Sequence, residues 1–467
     1  MAVSTKPVYT LAQVLDKLES GGAWSPHGQG TSLTYSFQAT APAAMPDGTS
    51  GFSSFNAQQI RGAELALQAW SDVANLSFAR IGSGTSGSSA YSDDGTLRFA
   101  DFADGVDGSA AFTYLPGTWP SRSSASLQGD GWYKSTLSYN ASPQVFGYGQ
   151  KVLVHEIGHA LGLNHPGAYD SDGSAITYAD SAEFAQDSQQ FTVMSYFSES
   201  NTGGSFGGRA AAAPQLYDIA AIQDLYGPNT KAFLGDTVYG FNSNADRPWF
   251  DATGGVKLIF SVWDAGGSDT FDFSGYAQAQ HINLNAGQFS DVGGLTANVS
   301  IAFGAVIENA IGGSGGDTLT GNAVGNFMIG LDGSDSVFGG AGDDPHVNGN
   351  LGDDTVFGGA GNDTLYGGQN DDQLFGDAGD DVLSGDLGFD SLTGGAGADR
   401  FVLREGGGGD WVSDFDSAEG DRVQIAQGLT YNLGNYEGQV VVVLATGDVL
   451  GLAGVSEAQL GDWLVYA

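Results

Sequence analysis

The chain has 467 residues, 41% of them apolar and 11% aromatic, enough for two or three domains with buried cores. Its 54 acidic and 15 basic side chains leave a formal charge of −39, a field that repels nucleic acid and anionic membrane surfaces and attracts cations. Cysteine is absent, which excludes disulfides, thiolate metal sites and cysteine nucleophiles, and no run of about 18 apolar residues could span a membrane.

Residues 1–230 read as an α+β unit. TLAQVLDKLESGG predicts an amphipathic helix with Leu11, Val14, Leu15 and Leu18 on one face, ended by Gly21 and Gly22. SLTYSFQA alternates like a strand. A capping residue at Ser54 or Asn56 then opens a helix carrying Ile60, Ala63, Leu67 and Trp70 at helical spacing. TLRFADFA and AAFTYLPG read as strands, and QKVLVHEIGHALG as a helix. Pro214 opens a last helix through Ile219, Ile222 and Leu225, with Gly227-Pro228 as its stop. Residues 231–311 mix strand-like runs with Gly, Asn and Asp turns. Residues 403–467 return to an alternating strand pattern.

Three of the six histidines fall in HEIGHALGLNH, residues 155–165. On a helix, His155 and His159 share a face about 6 Å apart, so both imidazoles can reach one zinc ion. Glu156 leans to the side of that metal and can take a proton from the water it activates. For His165 to join as third ligand the chain must turn sharply, and Gly162 tolerates the left-handed backbone this needs.

From Gly312 to Val402 the chain repeats every nine residues as G-G-x-G-x-D-x-U-x, with U large and apolar. Ten units fit, one of them a residue too long. Glycines permit tight turns with inward carbonyls, and the aspartate adds a carboxylate. Oxygen ligands from neighbouring turns suit calcium. The expected ligands are Asp317, Asp335, Asp344, Asp354, Asp363, Asp372, Asp381, Asp390 and Asp399. Leu319, Val337, Leu365, Leu374, Leu383, Leu392 and Phe401 keep phase with the glycines, as a parallel β-roll requires. The unit at 321 has Asn326 instead of the aspartate. In the unit at 339, Pro345 and His346 stand where x-U belongs, which predicts a bulge and a weakened ion. Sixteen aspartates against one arginine in 312–402 predict a roll that folds only with calcium, so that calcium replaces disulfides as the staple.

HEIGHALGLNHPGAYD, QFTVMSYFSESNTGG, AAAPQLYDIAAIQDLYGPN, WDAGGSDTFDFSGY and SDVGGLTANVSIAFGAVIENAIGGSGGDTLTGN together resemble the serralysins, secreted bacterial alkaline metalloproteases of the metzincin clan. The similarity runs from about residue 30 to about 402, and more loosely to the end. It implies a metzincin-like α+β catalytic domain over 18–230, followed by an all-β calcium-binding β-roll domain over 231–467. Met194 matches the family's methionine turn, and Tyr196 its additional, displaceable zinc ligand, which also stabilises the oxyanion.

The same resemblance adds calcium ligands at Asp264, Gly266, Asp269, Glu308, Gly313, Gly315, Asp414 and Asp421. It marks Ala110, Ala111, Phe112, Thr113 and Tyr114 as a substrate-binding edge strand, which implies broad specificity for protein and peptide substrates. It further implies a short propeptide within residues 1–17, a monomer, and a proteinaceous inhibitor as partner. The first 30 residues lack the pattern of a cleaved secretory signal. That fits the family's export to the extracellular medium by a type I secretion apparatus, which reads an uncleaved C-terminal signal. The end, Asp462 to Ala467, is two residues longer than the usual signal. Two alternatives share these motifs: a calcium-dependent surface protein with an inactive N-terminal domain, and a matrixin-like enzyme joined to calcium repeats. The intact Glu156 and histidines oppose the first; Tyr196 and AIQDLYGPN oppose the second.

Overall fold

The computed structural model describes residues 6–105, 109–117, 127–169, 176–460 and 463–466. Asp462 lies outside them. The N-terminal half is a twisted sheet backed by helices. Its strands are β1 (Thr31–Phe37), β2 (Leu76–Arg80), β3 (Leu97–Phe102), β4 (Ala111–Thr113) and β5 (Gly131–Lys134). They lie in the order β2-β1-β3-β5-β4. All pairs are parallel except β4 with β5, so a short antiparallel strand forms one edge. β2 and β5 escape the sequence reading, because one follows a long helix without a break and the other has only four residues.

The helices are α1 (Leu11–Leu18), α2 (Ala57–Val73), α3 (Ser138–Ala141), α4 (Tyr148–Leu161), α5 (Tyr178–Ser181) and α6 (Leu216–Tyr226). Asn56 caps α2, accepting from the N–H groups of Gln58 and Gln59, while Gln59 returns a bond to the Asn56 backbone. Ile60, Ala63, Leu67 and Trp70 are buried against α4, and the Trp70 indole donates to the Val154 carbonyl. That pins the zinc-motif helix in the core, where every residue from Gly149 to Leu161 is buried.

The segment expected to be a propeptide is built into this core. Val14 and Leu18 are fully buried. Tyr9 stacks on Phe184 and exchanges two hydrogen bonds with Gln186. The Asn164 N–H donates to the Leu18 carbonyl, and Ser20 to that of Gly162. A cut at residue 17 would pass through the last turn of α1. These bonds tie α1 to the turn and loop that carry the third histidine.

The C-terminal half is a parallel β-roll. Consecutive strands alternate between two ten-stranded sheets, and each strand pairs with the one 18 or 19 residues on. Val337, Val356, Leu374 and Leu392 stack in one sheet; Met328, Val347, Leu365, Leu383 and Phe401 stack in the other. All nine are fully buried. The irregular unit at 339 corrects the expectation. His346 pairs in register with Phe327 and Val347 with Met328, so Val347 is the core residue and the stack is unbroken. The additional residue is Pro345, taken up ahead of the strand His346–Leu351. His346 lies between the rings of Phe327 and Tyr366.

The boundary near residue 230 is not a gap. One core cluster runs through both halves. Arg247 pairs with Asp72 at 2.6 Å, and the Phe289 ring packs on Phe191.

Candidate metal centre

α4 ends at Gly162, whose φ of 109° turns the chain back toward His159. A Cβ there would lie 2.3 Å from the Gly22 carbonyl oxygen, so both the conformation and the space require glycine. The turn brings His165 to the other two imidazoles. Nε2 of His165 lies 3.1 Å from Nε2 of His159 and 3.3 Å from Nε2 of His155. Nδ1 of His155 faces the Val193 carbonyl and Nδ1 of His159 the Leu163 carbonyl, each at 2.8 Å. Those carbonyls claim the Nδ1 protons, which leaves Nε2 lone pairs facing one another. Three facing lone pairs need a cation. Bonds of about 2.0–2.1 Å to a tetrahedral ion set donors about 3.3–3.4 Å apart, so these spacings fit zinc. Burial first, then the neighbouring His159, holds the His155 imidazole well below its ordinary pKa, and burial pushes His165 down to about 3. The rings are held neutral, as metal ligands must be.

Glu156 is buried, and its Oε2 has no hydrogen-bond partner. Burial raises its carboxyl to about 7, against smaller lowering effects of Thr113 and Lys151. Met194 lies fully buried beneath the triad. A Cβ on Gly158 would come within 2.8 Å of its sulfur, which explains a glycine between the two helical histidines. Tyr196 is half exposed beside the triad, its ring 4.5 Å from that of His165.

Three supports were not visible in the sequence. Buried Asp218, on α6, accepts from the Thr192 hydroxyl at 2.5 Å, the Val193 N–H at 2.7 Å and the Gln215 N–H at 2.8 Å. It therefore fixes the residue whose carbonyl orients His155. Asp187 accepts from the Ser195 and Tyr169 hydroxyls, and the Tyr169 ring stacks on His165. The third is Lys151, one turn before His155. It lines the cleft beside Glu156, and burial lowers its pKa to about 8. An acidic residue at the third position of a helix, as in Pro-Gln-Leu-Tyr-Asp, is the only sequence signal for Asp218.

The cleft, about 450 Å³, runs from the triad between α4 and the start of β4. Of the predicted substrate strand, residues 111–113 form β4. Ala110 is tied inward, its carbonyl accepting from Lys134 N–H and the Asn140 amide. The Tyr114 hydroxyl donates to Asp47. Among the described residues no strand pairs with the outer edge of β4, which borders the cleft.

The roll aspartates form two ladders. The N–H of Asp317 donates to Oδ1 of Asp335, and so on through Asp354, Asp372 and Asp390 to Asp410. Asn326, Asp344, Asp363, Asp381, Asp399 and Asp421 form the other. In Asp335, Asp344, Asp354, Asp363, Asp372, Asp381, Asp390 and Asp399 the second oxygen is buried without a partner. A row of orphaned carboxylate oxygens suits a hard cation. Asp344 belongs to this row, so the unit at 339 keeps its carboxylate in place. Asn326 is satisfied, its amide donating to the Glu308 carbonyl, and it leaves no orphaned oxygen. Asp317 accepts from Gln280 and Gly313. Asp410 was missed because its unit has lost the repeat spacing.

Ahead of the roll, Asp264 accepts from the Tyr239 hydroxyl and the Gly266 N–H. Asp269 donates from its N–H to Glu308 and keeps an orphaned buried oxygen. Gly313 and Gly315 pack against the 276–279 backbone. At the far end, Asp414 accepts from Gly394 and Gly395, and Asp421 from Asp399 and Asp416.

Two family profiles match the chain: "Matrixin" over residues 24–190 and "Peptidase M10 serralysin C terminal" over 228–434. "Serralysin C" of Dickeya chrysanthemi is 51% identical over 324 residues, 68% of this chain and 66% of its own length. "Metalloprotease AprA" of Pseudomonas entomophila (strain L48) is 48% identical over 337 residues, 70% of this chain and 67% of its own. "Metallopeptidase AprA" of Pseudomonas marginalis is 46% identical over 340 residues, covering 70% and 68%. The matched stretch spans about two thirds of each relative.

Proposed function

This chain belongs to the serralysin family, and from that premise we propose that it is a secreted zinc endopeptidase of broad specificity. The observation that carries the reading is the convergence of three Nε2 lone pairs beside a buried Glu156 carboxylate whose Oε2 has no hydrogen-bond partner. His155, His159 and His165 would hold the zinc, with Tyr196 as an additional ligand. Bound there, zinc supplies Lewis acidity, polarising a peptide carbonyl and making water a nucleophile near neutral pH.

The chain's own residues do the rest. The outer edge of β4 takes an extended peptide by backbone hydrogen bonds, which are largely indifferent to sequence. Glu156 takes the proton from the attacking water at its free Oε2 and returns it to the leaving nitrogen. The Tyr196 hydroxyl donates to the developing oxyanion. Val193 and Leu163 hold the two helical imidazoles in one tautomer through their Nδ1 atoms. In the roll, the orphaned aspartate oxygens take calcium, Asp344 among them, and Asp410 continues the ladder beyond Asp390. Calcium folds the roll after export through a type I apparatus. A proteinaceous inhibitor of the kind the family implies would act at the same cleft.

The test is casein hydrolysis with and without 1,10-phenanthroline, alongside Glu156→Gln. The chelator is expected to abolish hydrolysis and added zinc to restore it. Glu156→Gln is expected to keep one zinc per chain and lose nearly all turnover. Chelator-resistant hydrolysis, or full activity in Glu156→Gln, contradicts the reading.

A further inference from the structure

Lys151 is a cation placed where helix geometry brings it to the reaction. It lies four residues before His155 on α4, so the two side chains share a face one turn apart, about 5.4 Å along the axis. The side chain is only 5% exposed. It forms part of the cleft wall with Tyr148, Val152, Ile176, Gln189 and Phe197.

Among the described residues its ammonium donates no hydrogen bond and forms no salt bridge; it lies 5.4 Å from the Tyr148 ring, and Glu156 and Asp218 act on it only through the longer-range field. The two nearest acids have other tasks. Asp218 is saturated by three hydrogen bonds, and Glu156 is needed at the metal. A buried ammonium without a salt-bridge partner is costly. The same position filled by Met or Leu would pack without that cost. A lysine there is explained by an anion that arrives with the substrate.

The reach fits a peptide. Successive Cα atoms are 3.8 Å apart, so a residue adjoining the scissile bond can project its side chain one helical turn along the cleft. Beside Lys151 the Tyr148, Val152, Ile176 and Phe197 side chains would enclose the methylenes of Glu or Asp. We propose that Lys151 is a specificity residue of this site: it binds the carboxylate of an Asp or Glu adjoining the cleaved bond. This deepens the protease reading and rests on it.

The test uses two peptides that differ only in Glu against Gln at the positions flanking one scissile bond, with the zinc- and calcium-loaded full chain. Wild type is expected to favour Glu in kcat/KM by on the order of tenfold, as for a buried charge-assisted hydrogen bond. The ratio is expected to fall to about one in Lys151→Met and to survive in Lys151→Arg. Calorimetric binding of the same pair to zinc-loaded Glu156→Gln reads the preference without turnover and is expected to show the same ordering. A wild-type ratio near one, or a ratio unchanged in Lys151→Met, overturns the proposal. Should Lys151→Met fail to fold, the wild-type ratio and the binding pair still decide. Cleavage of both peptides without discrimination removes only this role for Lys151. Absence of any cleavage, casein included, removes the protease reading itself.

Discussion

Replacing Asp218 by alanine tests whether the metal centre is held from beneath. The carboxylate accepts two backbone N–H bonds, from Val193 and Gln215, and one hydroxyl bond from Thr192. Alanine leaves both buried N–H groups unpaired, at about 1–3 kcal/mol each. A further 1 kcal/mol or so goes with the Thr192 bond. The summed cost is roughly 3–7 kcal/mol, a large part of a typical domain's stability. The loss is also directional. Val193 is both a donor to Asp218 and the carbonyl partner of His155 Nδ1, so its release loosens the His155 ring. Outer partners of this kind are worth about 10–100-fold in metal affinity. Asn keeps one acceptor oxygen and should fall between wild type and alanine on both scales. Urea denaturation at saturating calcium reads the stability, and competition with a chromophoric chelator reads the zinc affinity. If Asp218→Ala unfolds with wild-type parameters and holds zinc as tightly, this part of the account is wrong.

Three further outcomes follow from the same geometry. Tyr196→Phe should lower kcat on peptides about 10–100-fold with little change in KM, since its hydroxyl acts on charge that develops only in the transition state; steady-state kinetics decide. Gly358→Ala places a Cβ 2.4 Å from Asp363 Oδ2 and 2.8 Å from the Gly376 carbonyl. It should cost about 1–3 kcal/mol and lower the calcium count found by elemental analysis.

Burial raises Asp335, Asp344 and Asp381 to about 7 and Asp372 to about 8. The folded, metal-free roll therefore binds more protons than the unfolded chain from about pH 4 upward, and its stability falls as pH rises through 8. Without calcium, circular dichroism should show more strand at pH 5 than at pH 8. The calcium needed for half-saturation should rise as pH falls through that window, because protons compete for the same oxygens. A calcium midpoint independent of pH contradicts this.

What could be read from sequence was local in the chain. The zinc string holds all three imidazoles within eleven residues, and its spacing already encodes a helix, a left-handed turn and a returning loop. The roll is a nine-residue period with its apolar phase intact, so both sheets and their core were legible. What stayed hidden depends on contacts between distant segments. Asp218 reads as an ordinary helix-start acid until the fold sets it beneath Val193. Lys151 carries no signal in the sequence, because the pattern of α4 does not show that all its faces are covered. The contacts of Tyr9 with residues 184 and 186, and of Leu18 and Ser20 with 164 and 162, stayed hidden because those partners come more than 140 positions later. Pro345 misled for a different reason: one inserted residue shifts the apparent repeat by one, and only strand register shows that Val347 takes the core position.

The central claim is that three imidazoles hold one zinc ion on which hydrolysis depends. Zinc content by mass spectrometry, measured together with casein hydrolysis on wild type and His159→Ala, tests it most directly. One zinc per chain in the active wild type, with loss of both metal and hydrolysis in His159→Ala, is the predicted result. Undiminished hydrolysis by a zinc-free preparation would contradict it.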